Sequence, residues 1–190
     1  EKGDRMSRFG NPASSALEDA QAYSEALLEL LGARDALAVL REMPGALRAA
    51  IEGMSEAELA TPEAPGKWSV AQVLDHLSDS ELVGSFRFRM VLTQDRPALP
   101  GYDQDAWITR LHPAPASPRA GAELALRRFA MLREANIELF ERASAAERSR
   151  VGIHAERGEE SLEHMMKLYA GHDLVHRRQL ERIRAAVSSK

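Results

Sequence analysis

Apolar positions recur with a helical period in five stretches of this chain. The first runs over about 15–31: Ser15 and Glu18 have the spacing of a capping box, and Leu27, Leu28, Leu30 and Leu31 follow before Gly32 ends it. A second begins near Asp35 with Leu37, Val39 and Leu40, meets Pro44 and Gly45, and resumes through Leu47 and Ile51. Proline lacks an amide hydrogen and crowds the preceding turn, so a kink or restart is expected at Pro44. Thr61 to Gly66 reads as a linker. Ser69 then caps a third helix with Gln72 at the box position, and Val70, Val73, Leu74 and Leu77 give it a buried face on the way to Thr93. The fourth, over about 119–142, carries Leu124, Leu126, Phe129, Met131, Leu132, Ile137, Leu139 and Phe140. The last starts at a Ser161 cap and reaches Val187, with Leu162, Met165, Leu168, Tyr169, Leu174, Val175, Leu180 and Ile183 as its apolar set.

Between Asp95 and Pro118 the chain is rich in proline and has no sustained period, which suits a crossover between non-adjacent helices or a functional loop. Val151 to Gly158 is a glycine-punctuated loop by composition. No stretch alternates apolar and polar residues between hairpin turns, so no strand is expected. The pattern predicts an all-α fold: a four-helix bundle with a long crossover and an extra N-terminal helix over residues 14–187, preceded by a flexible N-terminus at 1–13.

A chain of 190 residues with 44% hydrophobic and 28% charged residues fits one globular domain, and no segment is long and apolar enough to span a bilayer. A net charge of -4, with arginines scattered among acids, argues against a nucleic-acid partner. The absence of cysteine excludes disulfides, iron–sulfur clusters, thiolate-ligated zinc and cysteine nucleophiles. With no apolar signal segment at its start, the chain is expected in the cytoplasm, and Met6 is a candidate initiation position.

Against this background the histidines stand out. His172 and His176 lie four residues apart on one helix face, close enough for both imidazoles to reach one metal ion. His76 falls at the edge of the apolar stripe of the third helix. If the two helices pack side by side, three neutral imidazoles converge and leave positions open for water or substrate. The bland alternative for His76 is a core-edge histidine satisfied by a backbone carbonyl. His164 is turned about 80° from His172 and should not share the ion, and His112, before a proline, reads as a loop residue. His154 is a candidate pocket residue, because its loop directly precedes the ligand-bearing helix. Tyr102 and Trp107 are candidate pocket walls, Tyr169 is a candidate substrate contact, and Arg87 with Arg89 could clamp a carboxylate. Gln72, Asp79 and Ser80 fall near His76 by helical spacing; Asp79, Asp173 and Gln179 are candidates for orienting the ligand imidazoles.

Several of these residues together carry a resemblance. Pro65-Gly66-Lys67-Trp68-Ser69-Val70 leading to His76-Leu77, then Arg87 and Arg89, then Gly101-Tyr102-Asp103, then His154 with Gly158, and Gly171-His172-Asp173-Leu174-Val175-His176 with Gln179 resemble the DinB-like (DinB/YfiT-type) superfamily of metal-dependent enzymes. The likeness covers about residues 23–187. It implies a four-helix bundle with a long crossover, a homodimer, and a divalent metal on a histidine triad that maps to His76, His172 and His176. Some relatives in the wider group use low-molecular-weight thiols in transfer or isomerisation. The expected function is therefore a metal-dependent thiol S-transferase or hydrolase that holds zinc or nickel and acts on a small molecule. The alternative is a non-catalytic, metal-stabilised binding or dimerisation module.

Overall fold

Side-chain caps and glycines set where the helices begin and end. The computed structural model describes residues 17–188; the expected flexible N-terminus and the Ser15 cap lie outside them. Helix α1 (Leu17–Leu31) closes at Gly32, whose φ of +58° glycine adopts without strain. Asp35 caps α2 (Ala36–Ile51), and Ser55 opens the short α3 (Glu56–Ala60). Helix α4 (Val70–Thr93) starts on the expected box: Gln72 N–H donates to Ser69 Oγ at 3.4 Å, and Ser69 N–H donates to Gln72 Oε1 at 2.9 Å. The crossover contains β1 (Ala98–Leu99) and α5 (Gln104–Leu111). Ser117 caps α6 (Pro118–Arg142), after which come the one-turn α7 (Ala145–Arg148) and strands β2 (Val151–His154) and β3 (Gly158–Ser161). Ser161 caps α8 (Leu162–Val187), and each such cap contributes about 1 kcal/mol.

Two expectations change here. Helix α2 continues through Pro44 without the restart that was one of the two expected outcomes. Pro44 has no N–H for the Leu40 carbonyl four residues back, and Arg133 Nη1 donates to that oxygen at 3.1 Å instead. The chain also forms a small sheet in the order β1-β2-β3, with β1 parallel to β2 and β2 antiparallel to β3. Strands of two and four residues are too short to show an alternating pattern, so nothing in the periodicity announced them. Gly152 lets the crossover lie on the hairpin, since a Cβ there would stand 2.7 Å from Leu99 Cδ1.

Helices α2, α6, α4 and α8 form a closed four-membered ring, each packed on the next, and α1 lies along α8. Two apolar clusters fill the bundle, one around Leu47, Val73, Leu77, Phe129 and Ile183, the other around Leu40, Phe88, Phe140 and Met165. Leu124 and Met131 are exposed rather than part of this core. A buried polar network ties three helices together. Arg133 on α6 donates to Asp173 on α8 at 2.5 and 3.1 Å and to Glu81 on α4 at 2.8 Å, while Asn136 donates to Glu81 Oε1 and Ser85 Oγ, both at 2.7 Å. No described helix is long and apolar enough to cross a membrane.

Candidate metal centre

Adjacency of α4 and α8 in the ring brings the three histidines together. His76 Nε2 lies 3.2 Å from His172 Nε2, which lies 3.1 Å from His176 Nε2. Among the described residues, these three side chains form the group of histidines and acids whose ligand atoms all fall within 4.8 Å of one another. His76 and His176 are buried and His172 is half-buried. Trp68, just before the α4 cap, packs on the His76 ring at 4.9 Å between centroids. His176 Nδ1 donates to Gln179 Oε1 at 2.7 Å, one turn further along α8. That bond puts the ring proton on Nδ1 and leaves a lone pair on Nε2.

The contacts among the three nitrogens cannot all be good hydrogen bonds. His176 Nε2 carries a lone pair, so His172 Nε2 would have to be protonated to satisfy it. A protonated His172 Nε2 could not then accept from His76. A cation resolves this, because three lone pairs aimed at one point are what it requires. With metal–nitrogen bonds of about 2.0–2.1 Å, ligand nitrogens stand about 2.9 Å apart at a right angle and about 3.4 Å apart at the tetrahedral angle. The observed separations of 3.1 and 3.2 Å fall between these limits. The ionisation state also fits. Burial, and then the neighbouring imidazoles, hold His76 and His172 well below the usual histidine range. Burial pushes His176 down to about 4, against the Gln179 hydrogen bond. All three are neutral ligands near pH 7.

Sequence similarity and solved structures can now be set beside this geometry. The model of the DinB superfamily matches residues 39–180. The chain belongs to the DinB superfamily. A Bacillus subtilis relative named "Putative metal-dependent hydrolase YfiT" is 44% identical over 69 residues, 36% of this chain and 39% of that protein. A Geobacillus thermodenitrificans "Putative metal-dependent hydrolase" is 41% identical over 71 residues, 37% of this chain. The chain thus spans about two fifths of the length of these curated relatives in the matched region. A Bacillus mycoides protein, also named a putative metal-dependent hydrolase, matches over 137 residues at 27% identity, 72% of this chain and 76% of its own length. The solved structure of YfiT from Bacillus subtilis, described as "a probable metal-dependent hydrolase with an unusual four-helix bundle topology", aligns with a TM-score of 0.65 at 29% identity. It covers 77% of this chain and 84% of that one. The fold of this chain is thus similar to the four-helix bundle of that structure.

In this DinB-superfamily chain the triad stands beside a cavity of about 100 Å³ that opens to solvent. His76 and His172 line it, and so do the candidate substrate contacts Arg87, Tyr102, His154 and Tyr169, together with Ser80. Tyr169 O–H donates to the Ser80 carbonyl at 3.1 Å, which fixes its ring across α4. Gly84 makes room for that ring, since a Cβ there would come within 2.6 Å of it. His154 sits at the buried end of β2 rather than in a loop. Trp107 is set back from the cavity lining and packs on Tyr102 at 4.7 Å between centroids, so it supports a wall residue.

Three sequence candidates act elsewhere. Asp173 points to Arg133 in the buried network and not to an imidazole, as its turn of about 100° from His172 around the helix allows. Asp79 and Asp75 both face His112, at 2.7 and 3.3 Å, so they tie the end of α5 to α4 instead of orienting His76. Arg89 donates to Ser85 O and Asn136 Oδ1, away from the cavity. Gln179 alone among the three orienting candidates reaches a triad ring. The sequence reading missed Tyr23 and Ser24, contributed by α1, and Arg157, which pairs with Glu160 at 2.5 and 3.0 Å. Only the glycine after Arg157 hinted at a structured turn there.

Proposed function

We propose that this chain is a metal-dependent enzyme of hydrolase type, in which His76, His172 and His176 hold one divalent cation and a small-molecule substrate occupies the adjoining cavity. The observation that carries the reading is the convergence of three Nε2 atoms beside an open cavity that His76 and His172 line. A donor set of three neutral imidazoles, without thiolate or carboxylate, suits zinc or nickel better than the two-histidine, one-carboxylate iron site. A cation so held lowers the pKa of bound water or thiol and polarises an electrophilic oxygen. The protein's own groups do the rest. Gln179 fixes the tautomer of His176, Trp68 holds the His76 ring, and the Tyr169 and Tyr102 rings shape the space in front of His172. The names of the relatives cited above support hydrolysis.

The cavity beside the triad opens to solvent, and a thiol could take the place of water on the cation, so S-transfer is the second reading of the same site. The non-catalytic alternative calls for a coordination sphere closed by side chains. The half-buried His172 facing an open cavity weighs against it. The test is to load the protein with zinc or nickel and assay ester and amide hydrolysis beside thiol transfer to an electrophile, for wild type and His172→Ala. Activity should fall on the order of 1000-fold in the variant, the several kcal/mol that Lewis-acid stabilisation supplies. Equal activity in a variant that binds no metal contradicts the proposal. The homodimer belongs to the same proposal, and sedimentation velocity tests it.

A further inference from the structure

Besides Nδ1 of His76, two residues that line the cavity each bury a polar nitrogen without a partner among the described residues. Arg87 on α4 is 5% exposed; its Nη2 donates to the Pro100 carbonyl, but its buried Nε–H has no acceptor. Among the described residues its guanidinium makes no ion pair. His154 is 3% exposed, and the Glu156 backbone N–H donates to its Nδ1 at 3.2 Å. The ring proton is therefore on Nε2, which is also buried and unpartnered. Burial, with Arg157 and Arg87 nearby, pushes His154 down to about 4, so the ring is neutral near pH 7. The neighbouring Arg157 is already neutralised by Glu160. Glu156 lines the same cavity, with its carboxylate beside Gly101, where a Cβ would stand 3.2 Å from Oε1.

Orphaned buried donors are costly in a free protein, and a cationic donor beside a neutral one calls for an acceptor of negative charge. Arg87 and His76 share a stripe of α4 with Ser80 and Gly84, eleven residues apart, about 16 Å of helix rise between their backbones. Both side chains nevertheless reach one cavity. We propose that the end of this cavity remote from the triad is an anion subsite, where Arg87 and His154 hold a carboxylate or phosphate of the substrate while its reacting group reaches His76 and His172. The substrate is then an elongated small anion. The assignment of the reacting end rests on the metal-enzyme reading; the anion-binding end stands without it.

The test titrates the full chain, as purified and as His172→Ala, with inorganic phosphate and separately with succinate by calorimetry. The His154 imidazole ¹⁵N signals are followed by NMR. At least one anion should bind saturably and shift the His154 Nε2 signal over the same concentration range, and binding should persist in His172→Ala. Arg87→Gln should weaken it at least tenfold, and Arg87→Lys less. The preferred anion distinguishes phosphate from carboxylate recognition. No saturable binding of either anion, an unmoved His154 signal, or unchanged affinity in a folded Arg87→Gln variant would overturn the subsite. Should Arg87→Gln not fold, the wild-type NMR titration decides. Metal binding without anion binding would remove the subsite alone, and anion binding without metal binding would remove the metal reading alone.

Discussion

Gly171 meets the main chain of Leu27 so closely that a Cβ on it would stand 2.4 Å from the carbonyl oxygen and 2.8 Å from the carbonyl carbon. Backbone cannot swing aside as a side chain can, so this glycine sets how near α1 lies to α8, one residue before His172. Helix α1 in turn supplies Tyr23, Ser24 and Leu27 to the cavity wall. Gly171→Ala should cost about 1–3 kcal/mol, the usual range for overpacking, and lower the melting temperature by several degrees. Thermal unfolding followed by circular dichroism reads this directly; an unchanged melting curve would mean that α1 is not seated there.

Removing Arg133 should be the most damaging change away from the triad. Its guanidinium, 1% exposed, is the shared partner of Glu81, Asp173 and the Leu40 carbonyl that Pro44 leaves free. Arg133→Met would strand two buried carboxylates, a loss on the order of 3–5 kcal/mol. Urea unfolding at pH 7 measures it, and Asp173→Asn added to Arg133→Met should recover part of the loss.

Gln179 acts on the metal through His176. Gln179→Leu should weaken zinc affinity about 10–100-fold by freeing the ring tautomer, whereas Gln179→Glu, which keeps an acceptor at Nδ1, should not. Competition with a chromophoric chelator separates the two variants. Equal affinities would show that the 2.7 Å hydrogen bond does not orient the ring.

The metal-free protein should lose stability in mild acid. His176 and His154 titrate near pH 4 when folded, and His76 and His172 are also depressed, chiefly by burial. Unfolded imidazoles take up protons near pH 6.5, so below that value the unfolded chain binds protons that the folded one excludes. The stabilisation is complete above pH 6.5 and is lost as the pH falls toward 4, by up to about 1.4 kcal/mol per pH unit for each imidazole. Asp173 opposes this. Burial raises it to about 6 despite Arg133, so its contribution is greatest below its unfolded value and is lost as the pH rises through 6. Asp75, also raised by burial, acts in the same sense, and two carboxylates against four imidazoles do not reverse the sign. Urea unfolding at pH 7.5, 6 and 5 should show a steady decline, shallower in His154→Phe; a flat profile would contradict the buried neutral state of these rings.

What the sequence made legible was local. Ser69 with Gln72 and Ser161 announced the starts of α4 and α8, because capping is a contest among a few neighbouring groups, and Gly32 announced the end of α1. The spacing of His172 and His176 is itself a helix coordinate, so that pair could be read directly. His76 needed only the further premise that its helix packs on theirs. What escaped depended on partners far along the chain. Arg133 looks like a member of a solvated charged face, and Asp173 like a partner for an imidazole, until α2, α4 and α8 close around them. Asp79 finds His112 across the crossover. The strands owe their existence to Ala98 and Leu99 lying beside Ile153 and His154, which no short window of sequence contains. His154 was legible as a pocket residue but not as a strand end.

The most direct measurement is metal stoichiometry by equilibrium dialysis against zinc or nickel, for folded wild type and for His76→Ala, His172→Ala and His176→Ala. One ion per chain is expected in the wild type, with affinity lost at least a hundredfold in each variant, since each removes one of three donors. A wild-type chain that is folded and binds no ion, or variants that bind as well as the wild type, would contradict the proposal that these three rings form one metal site.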